Sequence, residues 1–282
     1  MSTTTQTIAL RGAGLTLDDI PEPKRRKRPL LPIIYWVVIG ILLLPIISMI
    51  AYSFNFAPNN RVTTVWQHFT VQYYLHLADQ ADLFQAFLLS ITIALLSAAI
   101  SIAIGVPLAL ALERYRFWGR GLVSSILFID IAAPSIVVGS SALSFFFTLN
   151  FQTGFWTILI SHVTFNIAYA VVTLRARLSG MGTAYEQAAA DLGSGPVAGF
   201  FRVTVPLLMP GILAAFLLSL AMSIDDYVIT SFVAGSATTF PLYIYGIKTG
   251  LPPQVLCFGT IVFVVGIALF FANAALNRRN KV

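Results

Sequence analysis

Three aspartates lie within long apolar stretches of this 282-residue sequence: Asp130, Asp225 and Asp226. An ionisable side chain surrounded by hydrocarbon is costly, and acids that are kept in such places usually have a function. Tyr227 follows the aspartate pair directly. Carboxylates bind ammonium groups as ion pairs, and an aromatic ring adds a cation–π contact. These four residues therefore predict a path that binds positively charged groups.

Each aspartate also has a structural interpretation. Asp225 lies 19 residues after Pro206, or roughly 28 Å along a helix, which would bring the pair close to the end of a membrane crossing. An acid at that interface needs no functional reason. Adjacent residues of a helix point about 100° apart, so we expect at most one of the pair to face a pore. Asp130 is equally suited to holding helices together through polar contacts.

A second segment, 183–206, is suited to contacting another protein. Its small side chains would let a partner's backbone approach closely, and short amphipathic helices commonly dock in grooves. A plain surface helix that connects two spans is the alternative. The predicted apolar face consists of residues at helical spacing, half of them alanine: Tyr185, Ala188, Ala189 and Leu192.

The ends of this short helix are marked by specific residue types. Thr183 and Glu186 have the spacing of a capping box, which predicts the start of the helix. Gly193 and Gly195 predict its end, and Pro196 is placed to begin another helix.

The elements that must position both sets of residues are long apolar segments. Apolar residues make up 57% of the sequence, charged residues only 10%, and the mean hydropathy is +0.84. Soluble domains are about a quarter charged, and a helix needs about 20 apolar residues to span a bilayer. The sequence predicts an all-α integral membrane protein with six transmembrane helices, at about 30–54, 83–112, 122–149, 155–174, 203–233 and 255–276.

Basic residues predict the orientation of these helices. When the N-terminus is placed inside, all Lys and Arg residues except Arg61 and Lys248 fall in the inside segments. We therefore expect a multi-pass protein with cytoplasmic N- and C-termini, a disordered cytoplasmic tail at 1–29, and a single membrane domain at 30–282. Basic clusters beside a membrane meet anionic lipid head groups, so the net charge of +6 does not indicate a nucleic-acid partner.

Several classes of site are not supported by the sequence. Cys257 is the only cysteine, and His68, His76 and His162 are too far apart for a metal site. The phosphate-binding pattern G-x-x-x-x-G-K-[ST] does not occur, so we expect no cofactor on this chain and no enzymatic activity. His162 and Asn166 share a helix face, and we interpret His162 as a hydrogen-bonded helix-packing residue.

The segment 178–206 resembles the EAA loop of binding-protein-dependent ABC importer permeases. That pattern is E-A-A, three residues, G, nine residues, I, one residue, L-P. Both spacings match, although Gln187 replaces Glu, valines replace Ile and Leu, and Glu186 lies one position early. The matching residues here are Gln187-Ala188-Ala189, Gly193, Val203 and Val205-Pro206.

The resemblance implies partners and a location. Such permeases lie in the bacterial inner membrane with a second permease subunit, here expected to be a different chain, an extracytoplasmic solute-binding protein and a dimeric ATPase that binds ATP and Mg. The EAA helix docks on the ATPase. The residues to which this coupling role is carried over are Glu186, Gln187, Ala188, Ala189, Asp191, Gly193, Val203 and Pro206.

Three further stretches resemble the spermidine/putrescine branch of the family, specifically its second permease subunit: residues 52–55, 162–165 and 223–235. This implies a polyamine as solute; another small solute, such as an amino-acid derivative or an aminophosphonate, is the alternative. Relatives often carry an acid directly after the proline of the third span, where this chain has Ser135 after Pro134. Asp130 is five residues earlier, about 140° around a continuous helix, so it would not simply substitute.

A secondary transporter driven by an ion gradient is a less favoured hypothesis. Such transporters are commonly built from internal inverted repeats, and the sequence shows no repeat. The EAA-like loop also argues against it.

Overall fold

The structure, a computed structural model, describes residues 30–248 and 250–279, and in these ranges it contains helices and turns but no strand. The all-α class is thus confirmed, whereas the predicted tail 1–29 lies outside the described residues. The chain divides between Ser48 and Met49 into two compact units. The first contributes most of an apolar helix whose side chains are largely exposed, as expected for a helix that contacts lipid.

Twelve α-helices are described, joined in places by 3₁₀ turns and by one π-helical segment at Phe200–Thr204. They are α1 Leu30–Ser53, α2 Gln72–Leu75, α3 Ala81–Arg114, α4 Arg120–Ala132, α5 Ser135–Thr148, α6 Phe155–Ser179, α7 Ala184–Asp191, α8 Pro196–Gly199, α9 Val205–Ile224, α10 Val228–Val233, α11 Phe240–Gly246 and α12 Gln254–Arg279.

Four helical segments are long and apolar enough to cross a membrane: Pro32–Ser53, Ala81–Arg114, Phe155–Ser179 and Pro196–Ile224. The pair α4 and α5 passes the same test together but is bent by 111° at its break, so the described residues provide four or five spans. The apolar part of α12, Gln254–Leu269, is shorter. The predicted count of six therefore stays a prediction.

Helices α3, α6 and α9 pack against one another and form the centre of the second unit. Small residues allow this close approach: a Cβ on Gly105 of α3 would lie 3.2 Å from Ala170 Cβ of α6, and one on Gly211 of α9 would lie 2.8 Å from Arg177 Cγ. Close backbone contact through small residues is how membrane helices pack when water does not drive their association.

Two predicted spans are broken helices. Pro134 lacks an amide hydrogen and disfavours helical geometry at the preceding residue, and Ala133 is accordingly extended, with φ −69° and ψ 133°. The predicted span 122–149 is therefore formed by two helices that meet at a bend at Pro134, and not by one continuous helix. The predicted span 203–233 also ends early, because α9 stops at Ile224 and the chain resumes as the short helix α10.

Candidate functional site

All four residues predicted to bind positive charge line one cavity of about 360 Å³. The structure thus brings together Asp130 from α4 and Asp225, Asp226 and Tyr227 from the break between α9 and α10. The rest of the wall comes from α4 to α6, the last turn of α9, α10 and α11, and consists of Ala133, Ser135, Val138, Phe165, Tyr169, Met222, Val228, Ile229 and Tyr245.

Asp130 and Ser135 line the same cavity. The expected separation of about 140° assumed a continuous helix, and the 111° bend between α4 and α5 removes that assumption. Because the two helices turn about Pro134, residues on either side of the bend face a common space. An acid at position 130 can therefore reach the cavity that the residue after the proline also lines.

The aspartate pair lies well inside the helical unit. Ser223, two residues before Asp225, accepts a hydrogen bond from Ser97 on α3 at 3.1 Å. From Ser97, α3 continues for 16 residues to Ala81, or about 24 Å. The aspartates therefore lie beside the middle of α3 and not beside its end.

The two adjacent carboxylates have different surroundings. Asp226 Oδ2 accepts hydrogen bonds from the backbone amide and the hydroxyl of Thr230, both at 2.8 Å, and Oδ1 accepts from Ile229 N at 3.4 Å. Asp226 therefore satisfies amides in the first turn of α10, which have no partner within the helix. Asp225 is exposed and does not share these contacts with the first turn of α10.

Two tyrosine rings are in contact beside these acids. The rings of Tyr227 and Tyr245 have centroids 4.2 Å apart and an interplanar angle of 31°. Tyr245 lies on α11 and is 71% exposed. The sequence analysis missed Tyr245, since its only local signal is an aromatic residue in a proline-bounded segment, and its distance from Tyr227 is decided by the fold.

His162 is buried beside the cavity wall, and both of its ring nitrogens have partners. Nδ1 lies 2.6 Å from Ser223 Oγ, and Nε2 lies 2.9 Å from Thr230 Oγ1 and 3.5 Å from Asp226 Oδ2. The interpretation of His162 as a hydrogen-bonded residue agrees with this geometry. No group of three or more His, Cys, Asp or Glu side chains in the described part of the chain is arranged to hold a metal ion.

The short helix predicted after Thr183 is present as α7, and Gly193 ends it. Gly193 has φ +80°, the backbone region that residues with a Cβ rarely adopt. Gly193 N donates to Ala190 O, and Ser194 N donates to Ala189 O, both at 2.9 Å. These two bonds are those of a Schellman motif with glycine at its left-handed position. The Gly of the EAA pattern thus has a conformational reason, and Pro196 begins α8 as predicted.

Helix α7 begins directly after Thr183, as predicted, but the capping box that the spacing suggested is not formed. Thr183 makes no side-chain capping bond to α7 within the described residues. Glu186 instead points toward α3, where its Oε1 lies 3.4 Å from Arg114 Nε. The side chain of Gln187 is exposed, and so are Tyr185, Ala188, Asp191 and Leu192.

The segment after α8 leads directly into α9. Val203 lies in the π-helical turn Phe200–Thr204, in which Val205 N donates to Phe200 O. Pro206 follows in the first turn of α9, where its missing amide hydrogen costs little. The C-terminal part of the EAA-like pattern therefore lies at the junction of the loop and a long apolar helix.

Comparison with known proteins assigns this architecture. The sequence model of the family described as "Binding-protein-dependent transport system inner membrane component" matches residues 101–282. This chain belongs to that family. It is consequently a membrane component of a transport system and not an enzyme.

Individual relatives of this permease cover most of its length. It is 37% identical to the spermidine/putrescine transport system permease protein PotC of Haemophilus influenzae, over 87% of this chain and 95% of the relative. It is 38% identical to PotC of Escherichia coli K12, over 86% of this chain and 91% of the relative. It is 33% identical to the putrescine transport system permease protein PotI of the same strain, over 84% of this chain and 87% of the relative.

Solved structures with the same fold are also ABC transporters. A chain of a bacterial transporter involved in the import of the acidic polysaccharide alginate has a TM-score of 0.64 at 18% identity, covering 91% of this permease and 98% of that chain. A chain of the MetNI methionine transporter in an inward-facing conformation has a TM-score of 0.57 at 16% identity. The match covers 70% of this permease and 95% of that chain. At these identities the likeness concerns the fold alone.

Proposed function

We propose that this chain is a transmembrane subunit of an ATP-driven importer and that its solute is a polyamine such as putrescine or spermidine. The observation that carries the proposal is the single cavity that collects Asp130, Asp225 and Asp226 beside the contacting rings of Tyr227 and Tyr245. The printed names of its relatives, which are spermidine/putrescine or putrescine permeases, support the same solute class.

The chemistry of the cavity suits an elongated polycation. Each ammonium group of a polyamine loses water on entering a membrane protein and needs a compensating partner, which a carboxylate or the face of an aromatic ring supplies. The methylene segments between the ammonium groups need apolar contacts, and Phe165 and Met222 are in the wall. A single carboxylate would suffice for a monocation, so three acids in one cavity favour a solute with several positive charges.

We infer six transmembrane spans for the full subunit. The bent pair α4 and α5 would count as one crossing and α12 as the last, in addition to the four long helices. The basic residues Arg114, Arg175 and Arg202 lie near α7 at one end of the unit, which supports placing that end in the cytoplasm together with both termini.

The exposed face of α7 is the proposed contact for an ATPase subunit. Gln187, Ala188 and Leu192 are exposed in the isolated chain, and Leu192 is 90% exposed. An exposed leucine beside small side chains fits docking into a partner's cleft. ATP and Mg would be bound by that partner. A second permease subunit and an extracytoplasmic solute-binding protein would complete the transporter.

Uptake of labelled putrescine tests the solute. Cells that lack this gene and have no redundant polyamine system should lose uptake, and the wild-type gene should restore it. Asp225→Asn should raise the KM for putrescine about tenfold, because a charge-assisted contact is lost. Asp82→Asn is the matched control, since Asp82 is an exposed acid at the start of α3 that does not line this cavity.

Competition separates the remaining alternatives. Unlabelled spermidine should compete with putrescine, whereas an amino acid and an aminophosphonate should not. Unchanged putrescine uptake after deletion would overturn the polyamine assignment. Transport that persists when ATP is depleted but the proton gradient is kept would overturn the ATP-driven mechanism in favour of a secondary transporter.

A further inference from the structure

His162 bridges the break between α9 and α10. Its Nδ1 is 2.6 Å from the hydroxyl of Ser223, in the last turn of α9, and its Nε2 is 2.9 Å from the hydroxyl of Thr230 on α10. Only 1% of His162 is exposed, and Thr230 is fully buried. The imidazole therefore joins the two helices on either side of the aspartate pair, from a third helix, α6.

The donors of Ser97, Ser223, His162 and Thr230 can be oriented in one series toward Asp226 when the Ser97 hydroxyl, which also lies 3.2 Å from Ala94 O, donates to Ser223. The Thr230 hydroxyl donates to Asp226 Oδ2 at 2.8 Å, so its oxygen is free to accept from His162 Nε2–H. Nδ1 then accepts from the Ser223 hydroxyl, and Ser223 accepts from Ser97 at 3.1 Å. A neutral imidazole with its proton on Nε2 satisfies every one of these bonds.

The series of hydrogen bonds extends one residue further, to Asn166. Asn166 Nδ2 donates to Ser97 Oγ at 3.4 Å, so the series starts in the packed centre of α3 and α6 and ends at the cavity. Bonds that point in one direction polarise one another, and in a buried site each strengthens the next. The carboxylate of Asp226 is the acceptor on which the whole series terminates.

We propose that His162 is a positioning residue for the passage of the solute. It holds the break after Ile224 in the geometry that presents Asp225 and Tyr227 to the cavity, and through Thr230 it keeps Asp226 on the first turn of α10. The inference rests on the proposed function, in which these acids receive the cationic solute. His162 itself does not line the cavity.

Transport kinetics of paired variants test the proposal in the complete transporter. Thr230→Val keeps the shape of the side chain but removes the link between His162 and Asp226, whereas Thr230→Ser keeps the hydroxyl. We expect Thr230→Val to raise the KM for putrescine about tenfold, with less than a twofold change in the maximal rate per transporter, as for loss of a hydrogen bond to a charged group. Thr230→Ser should remain close to wild type.

Replacements of the histidine provide the second pair. The amide of a glutamine can donate near the position of Nε2, so His162→Gln should retain most of the affinity, whereas His162→Phe should raise the KM as Thr230→Val does. Equal KM values for Thr230→Val and Thr230→Ser would overturn the proposal. So would a fall in the amount of assembled transporter at unchanged KM, because this is the result expected of a residue that serves the fold alone.

A labelling measurement does not depend on the identity of the solute. Val228 lines the cavity, and the variant Val228→Cys in a Cys257→Ala background is treated with cationic and anionic methanethiosulfonates. The cationic reagent should react faster, and Thr230→Val should lower the ratio of the two rates about threefold as the local negative potential changes. An unchanged ratio would overturn the positioning role. A ratio that falls in a transporter that does not carry putrescine would overturn the solute assignment and leave the positioning role intact.

Discussion

Arg114 and Glu186 are 72 residues apart in sequence, yet Arg114 Nε lies 3.4 Å from Glu186 Oε1. Arg114 Nη2 also donates to the carbonyl of Met181 at 2.8 Å. Both side chains are partly buried, with exposures of 14% for Arg114 and 29% for Glu186. The last turn of α3 is therefore tied to α7 and to the segment just before it. The same helix carries Ser97, which belongs to the hydrogen-bond series beside the cavity.

Arg114→Ala should weaken the coupling between ATP hydrolysis and transport. In the proposed docking of α7 on the ATPase, loss of the guanidinium would let α7 move while α3 remains in place. The number of solute molecules transported per ATP should fall about fivefold, because hydrolysis continues while fewer cycles move α3. The measurement is uptake and phosphate release by the same reconstituted transporter. Arg116→Ala is the control, because Arg116 is exposed beyond the end of α3, and an unchanged ratio for Arg114→Ala would contradict the link.

Gly193→Ala should weaken binding of the ATPase subunit. Alanine at φ +80° costs about 1–2 kcal/mol, and this strain would distort the end of α7. Gly195→Ala is the matched control, because Gly195 has φ −64° and open space where a Cβ would be. The dissociation constant of the ATPase from the solubilised permease should rise roughly five- to thirtyfold for Gly193→Ala. Equal values for the two variants would show that the left-handed conformation is unimportant.

Long helices of this chain were predictable because charge and hydropathy mark their ends. The apolar run 83–112 is bounded by Asp82 and Glu113, and α3 is observed at Ala81–Arg114. The fourth predicted span, 155–174, extends to Ser179, because the helix continues past the basic residues that ended the apolar run. An apolar run thus predicts the membrane-crossing part of a helix and not its polar extension.

The contacts of the site could not be predicted in the same way. Glu186 has capping-box spacing to Thr183, but an arginine from a distant helix competes for the same carboxylate, and the competitor is absent from the local pattern. His162 was recognisable as a polar residue on an apolar helix. Its partners Ser223 and Thr230 lie 61 and 68 residues away, so only the packing of α6 against α9 and α10 identifies them.

Gly139→Ala should destabilise the packing of α5 against α10. A Cβ at this position would lie 2.7 Å from Phe232 Cδ2 and 3.1 Å from Ile229 Cα, and α10 is the helix that Asp226 caps. Overpacking of this kind costs about 1–3 kcal/mol, so the melting temperature of the purified subunit should fall by about 3–10 °C. Gly121→Ala is the control, because Gly121 faces open space on α4, and it should leave the melting temperature unchanged. Adding Phe232→Leu to Gly139→Ala should restore part of the lost melting temperature. An unchanged melting temperature in Gly139→Ala alone would contradict the close contact between Gly139 and Phe232.

Moving an acid across the bend between α4 and α5 tests whether the cavity needs a carboxylate or specifically Asp130. Asp130→Ser should raise the KM for putrescine, because one of the three acids is lost from the wall. Ser135 lines the same cavity from the other side of Pro134, so the double variant Asp130→Ser/Ser135→Asp should recover at least half of the lost affinity. Ser140→Asp in the Asp130→Ser background is the control, since Ser140 also lies on α5 but does not line the cavity. Recovery by position 135 alone would show that the bend, and not the helical position of the acid, decides which side chains meet the solute. Failure at both positions would mean that Asp130 acts through contacts between helices, which is the structural role that its location in an apolar segment also allows.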